Sequence, residues 1–105
     1  MGHITEIVIG TTPTIKYTFN KVNVNDITKA ILSISRYDNV ILTKSLSEAT
    51  VGNDFLSWTL TQEETLNVGE STVNIMLNWV DTSGIRGVGE SMLIKFTKND
   101  INEVL

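Results

Sequence analysis

Residues 71–80 read Ser-Thr-Val-Asn-Ile-Met-Leu-Asn-Trp-Val, and Asp-Thr-Ser-Gly follows at 81–84. Large apolar side chains occupy alternate positions of the first stretch, at Val73, Ile75, Leu77 and Trp79. A period of two puts such residues on one face of a β-strand. The next four residues are typical of a tight turn. Residues 85–97 then alternate again, with Met92, Ile94 and Phe96 on one face. The sequence therefore predicts two antiparallel strands joined by a turn.

Five more segments show the same alternation or a similar density of β-branched residues. They are residues 4–9, 14–19, 28–36, 40–45 and 55–60. A helix is conceivable over 28–36, but its isoleucines and serines disfavour that alternative. About seven strands with turns at roughly 8–12-residue spacing predict an all-β, immunoglobulin-like antiparallel sandwich. A small antiparallel barrel is the competing arrangement.

One helical turn is predicted between two of these strands. Thr61 and Glu64 have the spacing of a capping box, and Gly69 stands where a left-handed residue ends a helix. We therefore predict a short helix over residues 62–67 that crosses from one sheet to the other. Residues 98–105 are expected to add a turn of helix or to dock loosely.

Two further predictions concern the core and the last strand. Trp58 and Trp79 lie on different predicted strands, so they are expected to meet between the sheets. Gly87 and Gly89 interrupt the alternation of residues 85–97, and we expect them to mark a bulge or a close approach of the backbone.

Composition limits the function classes. The chain of 105 residues is expected to form a single domain over 1–105, with 41% hydrophobic and 19% charged residues. The net charge is −4 and the basic residues are scattered, which argues against nucleic acid as a partner. Without cysteine the chain has no disulfide, and no apolar run approaches the length of a membrane span. No membrane partner or signal peptide is therefore expected.

The sequence offers few groups for catalysis. The glycines at 84–89 lead into a strand rather than a helix, which disfavours a phosphate-binding loop. Glu63 and Glu64 are adjacent and diverge on a helix, and His3 is the only histidine. Turn residues such as Asn53 and Asp54 offer oxygen ligands without the spacing of a calcium loop. We therefore predict no enzyme activity, no catalytic or metal-binding residue and no cofactor.

A binding surface is a more plausible site. Tyrosine and arginine are frequent anchors of interfaces, which singles out Tyr17, Tyr37 and Arg86. The possible binding surface consists of Tyr37, Asp81 and Arg86, with the turn at 81–84 beside them. The plainer interpretation places Tyr17 in the core and Tyr37 along a turn.

Several of these segments also resemble a known group of proteins. The segments are Leu-Thr-Gln-Glu-Glu-Thr-Leu at 60–66, Val-Asn-Ile-Met-Leu-Asn-Trp-Val at 73–80, residues 81–91, and Ile-Gly-Thr-Thr-Pro-Thr at 9–14. Together they resemble small proteins of about a hundred residues encoded among phage and prophage structural genes of Firmicutes. They are also similar to the amino-terminal immunoglobulin-like domain of upper baseplate proteins in lactococcal phages.

This resemblance implies a virion component without catalytic residues. On that basis, the expected role is structural or in assembly, in a tail, baseplate or head fibre. The expected partners are other virion subunits or further copies of the chain. The expected location is the virion, or the host cytoplasm during assembly. The alternative is a module that binds a glycan or protein on the host surface.

Overall fold

The computed structural model describes residues 6–105. The predicted start of the first strand at Ile4, and His3, lie outside the described residues. Within them, the strands are β1 (Glu6–Val8), β2 (Thr14–Thr18), β3 (Ile27–Arg36), β4 (Asn39–Ser45), β5 (Thr50–Val51), β6 (Phe55–Thr59), β7 (Ser71–Asp81), β8 (Arg86–Val88) and β9 (Met92–Thr97). One α-helix, α1, spans Gln62–Val68, and short 3-10 turns span Val24–Asp26 and Leu46–Glu48.

The strands form two sheets. In the six-stranded sheet the order is β1-β9-β7-β3-β4, with β8 also paired to β7, and in the three-stranded sheet it is β2-β6-β5. In immunoglobulin terms, β2, β6 and β5 correspond to strands B, E and D, and they face β3, β7 and β9 as strands C, F and G. The predicted all-β, immunoglobulin-like sandwich is therefore confirmed, and the barrel alternative is wrong because the strands divide into two sheets.

Three details differ from the sequence prediction. The described residues form nine strands instead of about seven, because β5 has only two residues and the strand predicted over 85–97 is split into β8 and β9. The helix extends to Val68, one residue further than predicted. The sandwich is also not wholly antiparallel, since β1 runs parallel to β9.

The split between β8 and β9 follows from close packing beneath it. A Cβ on Gly89 would lie 2.9 Å from the Tyr17 ring, and a Cβ on Gly87 would overlap the Trp79 indole. The Gly89 amide donates to the Leu77 carbonyl at 2.7 Å, so the chain stays against β7 at this point. The predicted close approach at the two glycines is confirmed.

The predicted inward faces form the core. Ala30, Leu32, Ile34, Leu56, Trp58, Leu60, Val73, Ile75, Leu77, Ile94 and Phe96 are all buried. Trp79 is only half-buried and packs edge-to-face on Phe19, with 5.9 Å between ring centroids. The Trp58 indole nitrogen donates instead to the Ser45 carbonyl at 2.9 Å. The two tryptophans thus have different partners within the sandwich.

Helix α1 connects the two sheets, as predicted. The Glu64 amide donates to Thr61 Oγ1 at 3.1 Å, and the Thr61 amide donates to Glu64 Oε1 at 2.8 Å, which completes the capping box. Gly69 ends the helix with φ of +72°. Residues 98–105 form no helix, and the Leu105 amide docks on Gln62 Oε1 at 2.7 Å.

Candidate functional site

The side of the six-stranded sheet that points away from the core, here called the outer face, carries exposed apolar side chains. Ile31 and Leu93 each lie between inward-pointing neighbours on their strands, so they point outward, and they are 50% and 71% exposed. Val8, Val40 and Val88 are also largely exposed. Exposed apolar side chains grouped on one surface are typical of interaction sites.

The strand register arranges the outer face in rows across the sheet. One row runs from Ile31 through Asn78 to Val88. A second row runs from Ser35 through Asn74 to Leu93. Met76 and its partner Ser33 lie between these rows. None of these described side chains is charged, so the middle of the outer face combines apolar and neutral polar groups.

Most polar groups in these rows already have partners. Ser33 Oγ donates to the Met76 carbonyl at 3.3 Å, and Ser35 Oγ donates to the Asn74 carbonyl at 3.5 Å. Asn74 Oδ1 accepts from Ser91, and Asn78 Oδ1 accepts from Arg86 Nη2 at 3.0 Å. Because a polar group loses less on desolvation when it is hydrogen-bonded, this surface can be covered at a low energetic cost.

Charged side chains lie at the two ends of the outer face. Lys29 and Arg86 flank Val80 at one end. At the other end Lys95 lies between Thr72 and Glu6. The outer face therefore has a neutral centre and a charged rim, the distribution that protein–protein interfaces commonly show.

The opposite surface of the sandwich is chemically different. On the outside of the three-stranded sheet, the Thr14 and Thr59 hydroxyls are hydrogen-bonded at 2.9 Å. Lys16 Nζ lies 4.4 Å from the centroid of the Phe55 ring and covers it. The two outer surfaces are thus unequal, and the larger one bears more exposed apolar side chains.

The sequence-predicted binding residues lie apart. Tyr37 is 91% exposed at the tip of the β3–β4 hairpin, where Tyr37 and Asp38 have φ of 51° and 67°. Asp81 and Arg86 lie at the opposite end of β3, about 30 Å away at roughly 3.3 Å per residue. The structure brings Asp81 and Arg86 close together and places Tyr37 apart from them.

The roles of Asp81 and Tyr17 are structural. Asp81 Oδ1 accepts from the Ser83 amide at 2.8 Å and the Ile85 amide at 3.0 Å, which closes the predicted turn. Tyr17 is buried, and its hydroxyl donates to the Glu90 carbonyl at 3.0 Å. The interpretation that places Tyr17 in the core is the correct one.

Sequence reasoning missed the outer face. Alternation alone treats Ile31 and Leu93 as ordinary strand residues, although their neighbours on both sides already supply the inward face. An apolar residue at a position that the alternation assigns to solvent is the signal that identifies such a surface.

The adjacent carboxylates have different surroundings. Burial alone would raise the pKa of Glu64, but hydrogen bonds from Lys44 and Thr61 outweigh it and lower that pKa. Lys44 Nζ lies 2.6 Å from Glu64 Oε2, so this carboxylate anchors α1 to β4. Glu63 points to solvent.

Two other kinds of feature are absent from residues 6–105. No group of three or more His, Cys, Asp or Glu side chains in this part of the chain is placed to hold a metal ion. In the same residues, no helix has both the length and the apolar character needed to cross a membrane.

Comparisons with protein-family models, with curated proteins and with solved structures gave no match for this chain. The resemblance to phage structural proteins therefore stays a prediction from the sequence.

Proposed function

We propose that this chain is a non-enzymatic structural or assembly protein of a phage or prophage particle, and that it acts through protein–protein contacts. The observation that supports this proposal is the outer face, where Ile31, Val88 and Leu93 are exposed around a neutral centre. Exposed apolar area that is grouped in this way lowers the free energy when a partner covers it.

The form of the outer face also suits repeated subunits. A sheet presents a broad, regular surface on a rigid scaffold, and particles are built from many copies related by symmetry. The sequence resemblance to phage structural proteins favours a phage particle as the place where these subunits assemble. Tail, baseplate and head-fibre positions are all compatible with this role.

The proposal is tested in the strain that encodes the chain. Particles are induced, purified on a density gradient and examined by quantitative mass spectrometry, beside particles from a strain in which the gene is deleted. We expect the chain in purified particles or in their assembly precursors, and a loss of finished particles in the deletion strain. Normal particle yield after deletion, with the chain absent from particles and precursors, would overturn the proposal.

Tyr37 supports a second candidate, a module that binds a glycan or protein on the host surface. Its ring is almost fully exposed, and the left-handed backbone beneath it is unfavourable for a bulky residue. The two-residue hairpin turn itself accounts for the positive φ values, so the support for this candidate is the exposed ring, since tyrosine is a frequent anchor of interfaces. The test compares cell-surface binding of the wild-type chain, Tyr37→Ala and the control Val51→Ala. Loss of binding in Tyr37→Ala alone supports this function, and equal binding by all three counts against it.

A further inference from the structure

We propose that the outer face binds the outer face of a second copy of this chain, with the two six-stranded sheets packed face to face and their strands antiparallel. This inference rests on the proposed function and names the partner. The arrangement is isologous, so each copy contributes the same residues to the contact.

The size of the outer face suits a stable dimer. Five strands lie abreast in the six-stranded sheet, and its longest strand has 11 residues. About 40 residues form its six strands, so at about 4.8 Å between strands and about 3.3 Å per residue the face covers roughly 630 Å². Specific interfaces bury about 600–1,000 Å² on each partner. A second copy of the same sheet would cover this surface completely.

The chemistry of the outer face suits burial against itself. Its central rows are neutral, and the polar groups of Ser33, Ser35 and Asn74 are hydrogen-bonded within the sheet. The charged group that reaches these rows is Arg86, which donates to Asn78 Oδ1 at 3.0 Å and so keeps a hydrogen-bond partner when the face is covered. Burial of the exposed apolar side chains then lowers the free energy of association.

The free edge of the same sheet is a poorer contact. Strand β4 has a bulge at Ile41, because Ile34 pairs with Leu42 and Ser35 pairs with Val40. The Lys44 side chain on this strand turns toward Glu64. Bulges and inward charges are features that prevent an edge strand from pairing with another chain. The outer face is therefore a better surface for self-association than the β4 edge.

The charges on the rim do not select between the two orientations. With parallel strands and β7 at the centre, Lys29 of one copy meets Arg86 of the other. With antiparallel strands and Met76 at the centre, Arg86 of one copy meets Lys95 of the other, because Val80 and Thr72 lie equally far from Met76. Either orientation therefore leaves like charges near each other at the solvent-exposed rim, where water and salt screen them.

The antiparallel orientation brings exposed apolar residues of the two copies into contact. The rows of Asn78 and Asn74 lie two residues on either side of Met76. The two-fold axis therefore places Val88 of one copy opposite Leu93 of the other. These residues are 57% and 71% exposed in the single chain, and each would be covered by the other in the dimer.

Association is tested by analytical ultracentrifugation over a concentration series. The variants are Leu93→Glu and Val88→Glu, with Val51→Glu as the control, because Val51 is similarly exposed on the three-stranded sheet. Circular dichroism and thermal unfolding establish that each variant is folded. We expect a reversible dimer whose Kd rises at least about tenfold in either outer-face variant and stays unchanged in the control. A wild-type chain that remains monomeric at about 1 mM, or a dimer insensitive to both variants, would overturn the inference.

The orientation of the two copies is tested by thiol cross-linking. Only the introduced thiols react, because the chain has no native cysteine. A Val88→Cys, Leu93→Cys double variant receives a short thiol cross-linker that spans a sheet-to-sheet gap of about 10 Å. Covalent dimers are expected from the double variant, and not from either single variant, whose two thiols would lie about 13 Å apart along the strands. Covalent dimers from either single variant, or none from a double variant that still dimerises, would contradict the antiparallel orientation.

The two proposals fail differently. A monomeric chain that is present in particles overturns the dimer and leaves the virion role in place, with another subunit on the outer face. A dimeric chain that is absent from particles and precursors, in a strain whose particles form normally without it, overturns the virion role alone.

Discussion

Tyr17 joins the two sheets through a single hydroxyl. From β2 in the three-stranded sheet, it shares its one proton between the carbonyl oxygens of Glu90 at 3.0 Å and Ile75 at 3.3 Å. Its ring fills the space left open by Gly89. Burial, and then the negative charge of Glu90, raise the pKa of Tyr17 to about 12. The Tyr17 side chain thus links the two sheets, as a covalent cross-link does in other sandwiches.

This raised pKa predicts a loss of stability in alkali. The folded chain holds the Tyr17 proton more tightly than the unfolded chain, whose tyrosine has a pKa near 10. The corresponding stability is complete below pH 10, and it is lost as the pH rises toward about 12. Urea unfolding between pH 8 and about pH 11.5 should show a falling free energy of unfolding.

Tyr17→Phe and Tyr37→Phe separate this effect from general alkaline damage. We expect Tyr17→Phe to cost about 1 kcal/mol near neutral pH, through the loss of this shared hydrogen bond, and to flatten the fall above pH 10. Tyr37→Phe should behave like the wild-type chain. The same alkaline slope in all three proteins would show that Tyr17 does not cause it.

Gly87 gives a second prediction at the scale of one residue. Because an added Cβ would overlap the Trp79 indole, Gly87→Ala must displace that ring or the β8 backbone. We expect a loss of about 1–3 kcal/mol, the usual cost of overpacking, and a change in tryptophan fluorescence. Val88→Ala is the control, since the Val88 side chain points to solvent and its loss should cost less than about 0.5 kcal/mol. Equal effects of the two substitutions would refute the close packing.

At the scale of one element, α1 depends on its surroundings. Seven residues are too few for an isolated helix in water, so its stability comes from caps and packing. Besides the capping box, the buried Thr65 hydroxyl accepts from the Gly10 amide at 2.8 Å and donates to the Thr11 carbonyl at 2.9 Å. The helix therefore holds the chain between β1 and β2 in place.

The capping box predicts a loss of stability in acid. Since the pKa of Glu64 is lowered in the folded chain, its contribution is complete above the unfolded value near 4.5 and is lost as the pH falls through the folded value. Glu64→Gln keeps an acceptor for the Thr61 amide, because glutamine also serves at this position of a capping box. It removes the ion pair with Lys44, so it should cost up to about 1 kcal/mol at pH 7, and less at pH 3, where the wild-type carboxylate is also becoming protonated. Denaturant unfolding at the two pH values measures both differences.

Glu63→Gln is the matched control for this experiment. Glu63 is the exposed neighbour of Glu64 in the first turn of the helix, so its substitution should change the stability by less than about 0.5 kcal/mol at either pH. A Glu63→Gln effect as large as that of Glu64→Gln would mean that general charge, and not the ion pair with Lys44, stabilises the helix.

Elements that depend on local sequence were predictable, and those that depend on distant contacts were not. Alternation identified the seven main strand segments, and the Thr61–Glu64 spacing identified α1. The split between β8 and β9 depends on Tyr17 packing against Gly89, two residues that are far apart in the sequence. The outer face emerges only when register brings Ile31, Val88 and Leu93 onto one surface.

At the scale of the whole molecule, the amino-terminal segment contributes to both sheets. Strand β1 pairs with β9 in the six-stranded sheet, and β2 pairs with β6 in the three-stranded sheet. Gly10, with φ of +83°, makes the turn between them. The β1–β9 pair joins residues about 90 positions apart, as in the Thr97 Oγ1 to Ile7 carbonyl hydrogen bond. No local pattern specifies such a parallel pair.

This pairing predicts that β1 closes the sandwich. Ile7 is 3% exposed and packs in the core, whereas Val8 beside it is 42% exposed on the outer face. Ile7→Ala should lower the free energy of unfolding by about 2–4 kcal/mol, because it removes buried apolar volume. Val8→Ala on the same strand should cost less than about 1 kcal/mol. Denaturant midpoints measure both values, and hydrogen exchange of the β9 amides reports whether β1 stays paired. If the two substitutions cost the same and β9 stays protected in both, then β1 lies on the sandwich without closing it.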